Sequence, residues 1–506
     1  MPPARVTPAP ANRWAVLALL CLSLLLIAVD ATVLHIAVPA LTAALEPTAV
    51  ELLWIIDSYS LLVAPLLVTF GTLGDRYGRR RFVLGGYLVF GVASVAAAFA
   101  ATPIALIVAR GLLGVGGAMI MPATLSIIRQ VFTDRRERAV ALGVWGAVAA
   151  GGAAAGPMIG GVLVEHFWWG AVFLINVPVL LVALPLAVRL LPADRPSRRS
   201  WDALSAVLSV AGLLALAFGL KEAGYGHTVG RPLALVIFAA GVLLLVWFTR
   251  RQRALETPLL DLGLFARRAF ATGVACVLFA IFALVGLQLM LAQYLQLVLG
   301  LSPLGAAIRM APLMAAAIAG GLLAARLLDR IGLRATMSGG LALTALALLP
   351  VLGWGTEDHA PTLVLCFAGI GFGVEVALLA ASDTIMASAP ESRAGGAAAI
   401  EETAYELGAG LGIAVLGTIT TLAYAPALPD VPDLPPELQA NARESLAAAA
   451  HVANEVGGPT GAALLGAARP AFVSALQSTV LVSVVVLLAT AAAVAALLPR
   501  RASVRP

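Results

Sequence analysis

Charge is scarce in this sequence, and the scarcity decides its class. Only 12% of the 506 residues are Asp, Glu, Lys or Arg, while 61% are hydrophobic. A soluble domain is about a quarter charged and about 45–50% apolar. A water-soluble globule, a disordered chain and a nucleic-acid-binding protein are therefore excluded. The formal net charge of +5 does not point to a polyanionic partner, because the basic residues fall in short loops between apolar runs. Cysteine is rare as well. Cys21, Cys276 and Cys366 each sit inside an apolar run, which speaks against a disulfide framework and a Cys-based metal site. The sequence has no P-loop, no His/Cys metal spacing, no G-x-S-x-G element and no soluble domain to signal through, so neither an enzyme nor a sensor is expected.

Long apolar runs are what the chain has instead. A bilayer core needs about 20 apolar residues per helix. Fourteen runs qualify, at 14–38, 51–72, 82–100, 104–128, 139–164, 168–190, 201–220, 232–249, 270–298, 303–325, 335–353, 361–387, 396–424 and 471–498. The predicted fold is all-α, a polytopic membrane protein with 14 transmembrane helices. Arg5 and Arg13 before the first run resemble a signal-peptide n-region, but the run is too long and carries Asp30, so an uncleaved span is expected. Of the 32 basic residues, 26 fall in loops and termini on one side of such a threading. Only Lys221, Arg231, Arg443 and Arg469 fall on the other side, and Arg110 and Arg309 lie within spans. By the positive-inside rule both termini are expected in the cytoplasm, with the chain in the cell membrane. Adding or dropping one span would destroy the asymmetry. Two connections stand out: a basic inner linker at 189–202 and an outer loop at 425–470. The latter's stretch Pro436–Val456 predicts one or two short helices on the outer face.

The chain also repeats itself. D-R-x-G-x-R occurs at Asp75–Arg80 and again at Asp329–Arg334, each time after the second helix of a six-helix set. Residues 14–190 and 270–498 then form two related bundles, the second including the outer loop, with 201–249 as an inserted helix pair. Parallel repeats about an axis along the membrane normal are one way transporters are built.

Ionised groups inside the spans need a reason, since each costs roughly 2.5–3.5 kcal/mol on insertion scales. They are Asp30, Asp57, Arg110, Arg309, Glu375, Asp383, Glu401, Glu402 and Glu406. Seven carboxylates against two guanidiniums leave an acidic interior in a basic protein, a composition suited to cations and protons. Glu402 and Glu406, spaced i,i+4, share one helix face and cannot easily both ionise in a low dielectric. Pairing with Arg110 or Arg309 cannot neutralise all seven. Asp383 is near an inner end, where interfacial water suffices. Among the aromatics, Tyr59 and Tyr405 are the better candidates to stack on a cationic ring.

Four motifs carry a family resemblance across essentially the whole chain. Gly71–Arg80 fits G-x-L-x-D-R-x-G-R-[RK]. Span four has Leu106-x-x-x-Arg110-x-x-x-Gly114-x-Gly116, with Leu113 where Gln is common. Span five has Gly152-x-x-x-Gly156-Pro157-x-x-Gly160-Gly161. Span one has Asp30-x-Thr32-Val33-x-His35-x-Ala37-x-Pro39, with His35 where Asn is usual. The sequence resembles the fourteen-helix drug:proton antiporter branch of the major facilitator superfamily, above all pumps for quaternary ammonium compounds, cationic dyes and fluoroquinolones. The resemblance implies a proton-coupled exporter of lipophilic cations working by alternating access, without a cofactor and driven by the proton gradient. Its expected partners are lipophilic cationic small molecules, protons and membrane lipids, with a monomeric chain. It implies proton and cation coupling at Asp30, Asp57, Arg110, Glu375, Glu402 and Glu406, and a substrate cavity with Tyr59 and Tyr405. It also implies a conformational latch at Gly71, Asp75, Arg76, Gly78 and Arg79, and an antiporter seam at Gly152, Gly156, Pro157, Gly160 and Gly161. An exporter dedicated to one antibiotic or metabolite is the alternative, and a symporter a more distant one.

Overall fold

In a computed structural model of the chain, residues 12–192, 202–225, 230–255, 258–260, 262–358, 360–389 and 394–498 are described. Most of the basic linker at 189–202 lies outside them. The helices are α1 (Arg13–Leu45), α2 (Ala49–Tyr77), α3 (Arg79–Ala98), α4 (Pro103–Val131), α5 (Arg135–His166), α6 (Ala171–Leu174), α7 (Asn176–Leu190), α8 (Ala203–Tyr225) and α9 (Arg231–Ala254). The second half holds α10 (Arg268–Gln293), α11 (Pro303–Ile331), α12 (Leu333–Leu348), α13 (Ala360–Ser388), α14 (Ala394–Ala427), α15 (Pro436–Ala442), α16 (Leu446–Val456) and α17 (Gly458–Leu497). Thirteen helical stretches are long and apolar enough to cross a membrane, and α8 adds the shorter apolar stretch Ala203–Gly219. Together they account for the fourteen runs.

Local chemistry explains where helices begin and break. Thr48 and Glu51 form a reciprocal capping box at the start of α2. Thr102 before Pro103 and Ser302 before Pro303 cap α4 and α11. The run 168–190, expected as one helix, divides after Leu174. Pro178 lacks the N–H that would bond the Leu174 carbonyl, so the ladder is interrupted there. The last helix starts at Gly458 rather than near 471, because Gly457 and Gly458 take positive φ (64° and 57°) and Pro459 sits in the first turn. At 40 residues it is about 60 Å long, twice a bilayer core. Inside the outer loop, α15 and α16 fall at 436–442 and 446–456, within the stretch expected to be helical.

The repeated D-R-x-G-x-R has a backbone reason. Its glycines, Gly78 and Gly332, each form the single-residue joint between the second and third helix of a set, with φ of 116° and 81°. A side chain is strained at such angles.

α1 packs on α5, and α2 and α3 on α4; in the second half α11 and α12 pack on α13, and α10 on α14. α8 and α9 pack on each other, and α8 also touches both α2 and α14, with Trp54 and Phe218 rings 6.3 Å apart. Arg251 of α9 holds Asp202 by two hydrogen bonds of 2.7 and 3.0 Å at the foot of α8. Those bonds hold the Asp202 carboxyl down at about 2.

The end bearing α15 and α16 is called here the capped end; the arginine-rich loops mark the opposite, basic end. At the capped end, two carboxylates reach across. Glu165 at the end of α5 accepts from the Leu304 N–H in the first turn of α11 (3.1 Å), and Glu444 accepts from the Ala49 N–H at the start of α2 (3.1 Å). Each set thus satisfies an open backbone donor on the other set's second helix. His451 of α16 lies 3.1 Å from Glu46, just past α1. Along α14, Gly410 and Gly417 press on Leu61 and Leu53 of α2, whereas Gly396 on the same face meets nothing within 4 Å.

Candidate functional site

Asp30 and Arg110 are both buried, at 0% and 1% exposed, and they meet. Arg110 Nη1 donates to Asp30 Oδ2 at 2.9 Å. The rest of its guanidinium is also engaged, Nε with the Ile55 carbonyl (3.2 Å) and Nη2 with the Ile56 carbonyl (3.3 Å). Its faces lie 4.9 Å from the Tyr59 ring and 5.8 Å from the Phe173 ring. Asn176 Nδ2 donates to the other Asp30 oxygen, Oδ1, at 2.9 Å and to Ser94 Oγ at 3.1 Å. α1, α2, α3, α4 and α7 therefore converge on one carboxylate. Asn176 has no counterpart in the sequence reading, because a lone Asn in an apolar run forms no spacing pattern.

The glycines of span four seat Tyr59. A Cβ at Gly114 would lie 2.7 Å from the Tyr59 carbonyl oxygen, and one at Gly117 would lie 3.0 Å from its hydroxyl. Tyr59 is 1% exposed, and the cation on its ring is Arg110. Asp57 is fully buried on the same helix, and His35 is buried with Nδ1 lacking a hydrogen-bond partner.

The second set contributes acids. Glu406 of α14 is buried and hydrogen-bonds the Ser60 side chain of α2, so it spans the seam between the sets. Glu402, half-buried, lies one turn closer to the basic end, within electrostatic reach of Glu406 and Glu401. Tyr405 is within such reach of Glu406, Glu402 and Glu375. Glu375 of α13 packs on Gly320 and Gly321 of α11. Among the described residues, no ion pair takes Glu375, Glu402 or Glu406. Tyr59 is within electrostatic reach of Asp30, Arg110, Glu402 and Glu406.

The other charges stand apart. Asp383 is exposed, and Glu401 bonds Ser382. Arg309, counted from sequence among the interior charges, pairs with Asp358 through bonds of 3.0 and 2.8 Å in the first turns of α11, toward the capped end. In the D-R loop, Arg79 donates to the Ser126 carbonyl at 3.0 Å, Arg80 bonds the Val188 carbonyl and Arg76 lies over Tyr77. A Cβ at Gly71 would meet Pro122 at 3.4 Å. The Asp75 side chain lies outside those described.

The span-five motif is a packing face. Gly152, Gly156 and Gly160 lie on Ala28, Thr32 and Val33 of α1, at or inside contact distance for a side chain. Gly161, one position round, faces Leu304 of α11, where a Cβ would come within 3.0 Å. Small residues permit this approach.

Thirteen helices long and apolar enough to cross a membrane, packed around buried charged residues, define a polytopic membrane protein. The pattern of the Major Facilitator Superfamily matches residues 20–413, and the chain belongs to that family. It is 42% identical over 490 residues to the multidrug efflux pump LfrA of Mycolicibacterium smegmatis, covering 96% of this chain and 97% of that one. It is 42% identical over 465 residues to the methyl viologen resistance protein SmvA of Salmonella typhimurium, covering 91% and 93%. Among solved structures it resembles a bacterial homologue of the human lysosomal transporter Spinster in an inward-facing, unoccupied conformation. There the TM-score is 0.67 at 20% identity, covering 98% of this chain and 99% of that one.

Proposed function

We propose that this protein is a proton-coupled efflux antiporter for lipophilic cations, working by alternating access with its basic end and both termini in the cytoplasm. The observation that carries the reading is the carboxylate pair Glu402–Glu406, set at the seam with no ion pair among the described residues, while Arg110, within electrostatic reach of Glu406, is bonded to Asp30. Relatives whose names specify multidrug efflux and methyl viologen resistance support the cationic cargo. A cation enters from the basic end and displaces a proton from the α14 pair, with Tyr405 and Glu375 beside it. The sets then rock, the clamps at the capped end release, and a proton from that side returns to the carboxylates and expels the cargo. In this reading Asp30–Arg110 and Asp57 couple proton movement to the rocking. Gly71, Asp75, Arg76, Gly78 and Arg79 latch the basic end when it closes, and the α5 glycine face seals the seam.

The test is proton-driven uptake of a cationic dye into inverted vesicles. Wild type is expected to accumulate dye. Asp30→Asn, Glu406→Gln and Arg110→Ala are expected to reduce uptake at least about tenfold, as removal of a buried charge from a coupled site does. Normal transport and coupling in all three would overturn the site.

A further inference from the structure

The span-one and span-five motifs meet at one hydroxyl. Pro157 has no N–H, so the carbonyl of Ala153, four residues earlier in α5, loses its helical donor. Thr32 Oγ1 of α1 lies 3.0 Å from that oxygen. Its other acceptors, the Ala28 and Val29 carbonyls of its own helix, are farther away, at 3.3 and 3.4 Å. A hydroxyl has one proton to donate, and its shortest bond crosses to α5. Gly156 leaves the room, because a Cβ there would overlap Thr32 Oγ1. Within an apolar bundle, a backbone carbonyl without a donor is costly, so this partner matters more than it would in water. Thr32 lies two residues beyond Asp30, next to the turn that carries the buried carboxylate.

We propose that Thr32 is a positioning residue for proton coupling: its hydroxyl supplies the donor missing at Pro157 and ties the break in α5 to the α1 turn bearing Asp30. The inference rests on the antiporter reading above. It makes α1 and α5 one mechanical unit, so that α5 cannot change its conformation at Pro157 without moving the residues around Asp30.

The experiment measures dye uptake and dye-independent proton leak in inverted vesicles for wild type, Thr32→Val, Thr32→Ser, Pro157→Ala and the double variant Thr32→Val/Pro157→Ala. Valine keeps the shape and removes the hydroxyl, so Thr32→Val is expected to raise leak relative to uptake about three- to tenfold, with serine near wild type. Pro157→Ala returns a helical donor to Ala153, so adding Thr32→Val to it is expected to have no further effect. Wild-type coupling in Thr32→Val overturns the proposal, as does an equal loss in both backgrounds, which would mark a general packing role. If wild type itself moves no dye against a proton gradient, the antiporter reading fails, and the inference falls with it.

Discussion

Arg110 makes three hydrogen bonds in the site, and its chemistry is specific to arginine. One planar fork reaches a carboxylate and two backbone carbonyls while its faces rest on two rings. A lysine offers a point charge without that fork. Arg110→Lys is expected to abolish coupled dye uptake. Arg110→Met leaves Asp30 charged and unpaired, a change that costs about 3–5 kcal/mol for a buried pair and is measurable as a lowered melting temperature in detergent. Combining it with Asp30→Asn is expected to recover much of that stability and none of the transport. Both partners were legible in the sequence, because an ionisable residue in an apolar run is conspicuous. Their pairing was one of two open readings there, and only the fold decides it. Asn176 and Ser60 were not legible, since uncharged polar residues at mid-span carry no periodic signal. Tyr59 was read as a ring awaiting a cation, and the cation on it belongs to the protein.

At the level of helices, hydropathy located every span, and the exceptions arise from backbone groups that hydropathy does not weigh. Pro178 divides the sixth run, and a pair of positive-φ glycines fixes the early start of α17. The four-residue glycine spacing of α5 was also visible, but not which neighbour it faces. The contact with α1 runs in parallel register, Gly152 on Ala28, Gly156 on Thr32 and Gly160 on Val33. Gly160→Val is expected to force the helices apart at a cost of about 1–3 kcal/mol, with lost uptake. Gly151→Val, at a position with nothing within 4 Å, is expected to leave both melting and uptake near wild type.

For the whole molecule, apolar runs made the multi-pass class readable from the sequence, whereas the capped end depends on contacts between residues far apart in the chain. Glu165 and Glu444 are unremarkable in the sequence, and each gains its meaning from the other set's helix start. A carboxylate at an exposed helix N-terminus contributes about 0.3–1 kcal/mol. Glu165→Ala/Glu444→Ala is therefore expected to shift the balance of states toward opening of the capped end by roughly three- to thirtyfold. Spin-label distances between the capped ends of α5 and α14 measure this directly, and an unchanged distance distribution would remove both carboxylates from the gate. The pairing of Asp30 with Arg110 has an electrical consequence. In the proposed cycle, with that couple neutral, the charge carried in each half-cycle is set by Asp57, the α13–α14 acids and the cargo. Two protons exchanged for a monovalent cation move one net charge, while two exchanged for a divalent cation move none. Voltage supplies about 2.3 kcal/mol per charge per 100 mV, so at that exchange ratio the proposed antiporter would be voltage-driven for the first cargo and electrically silent for the second.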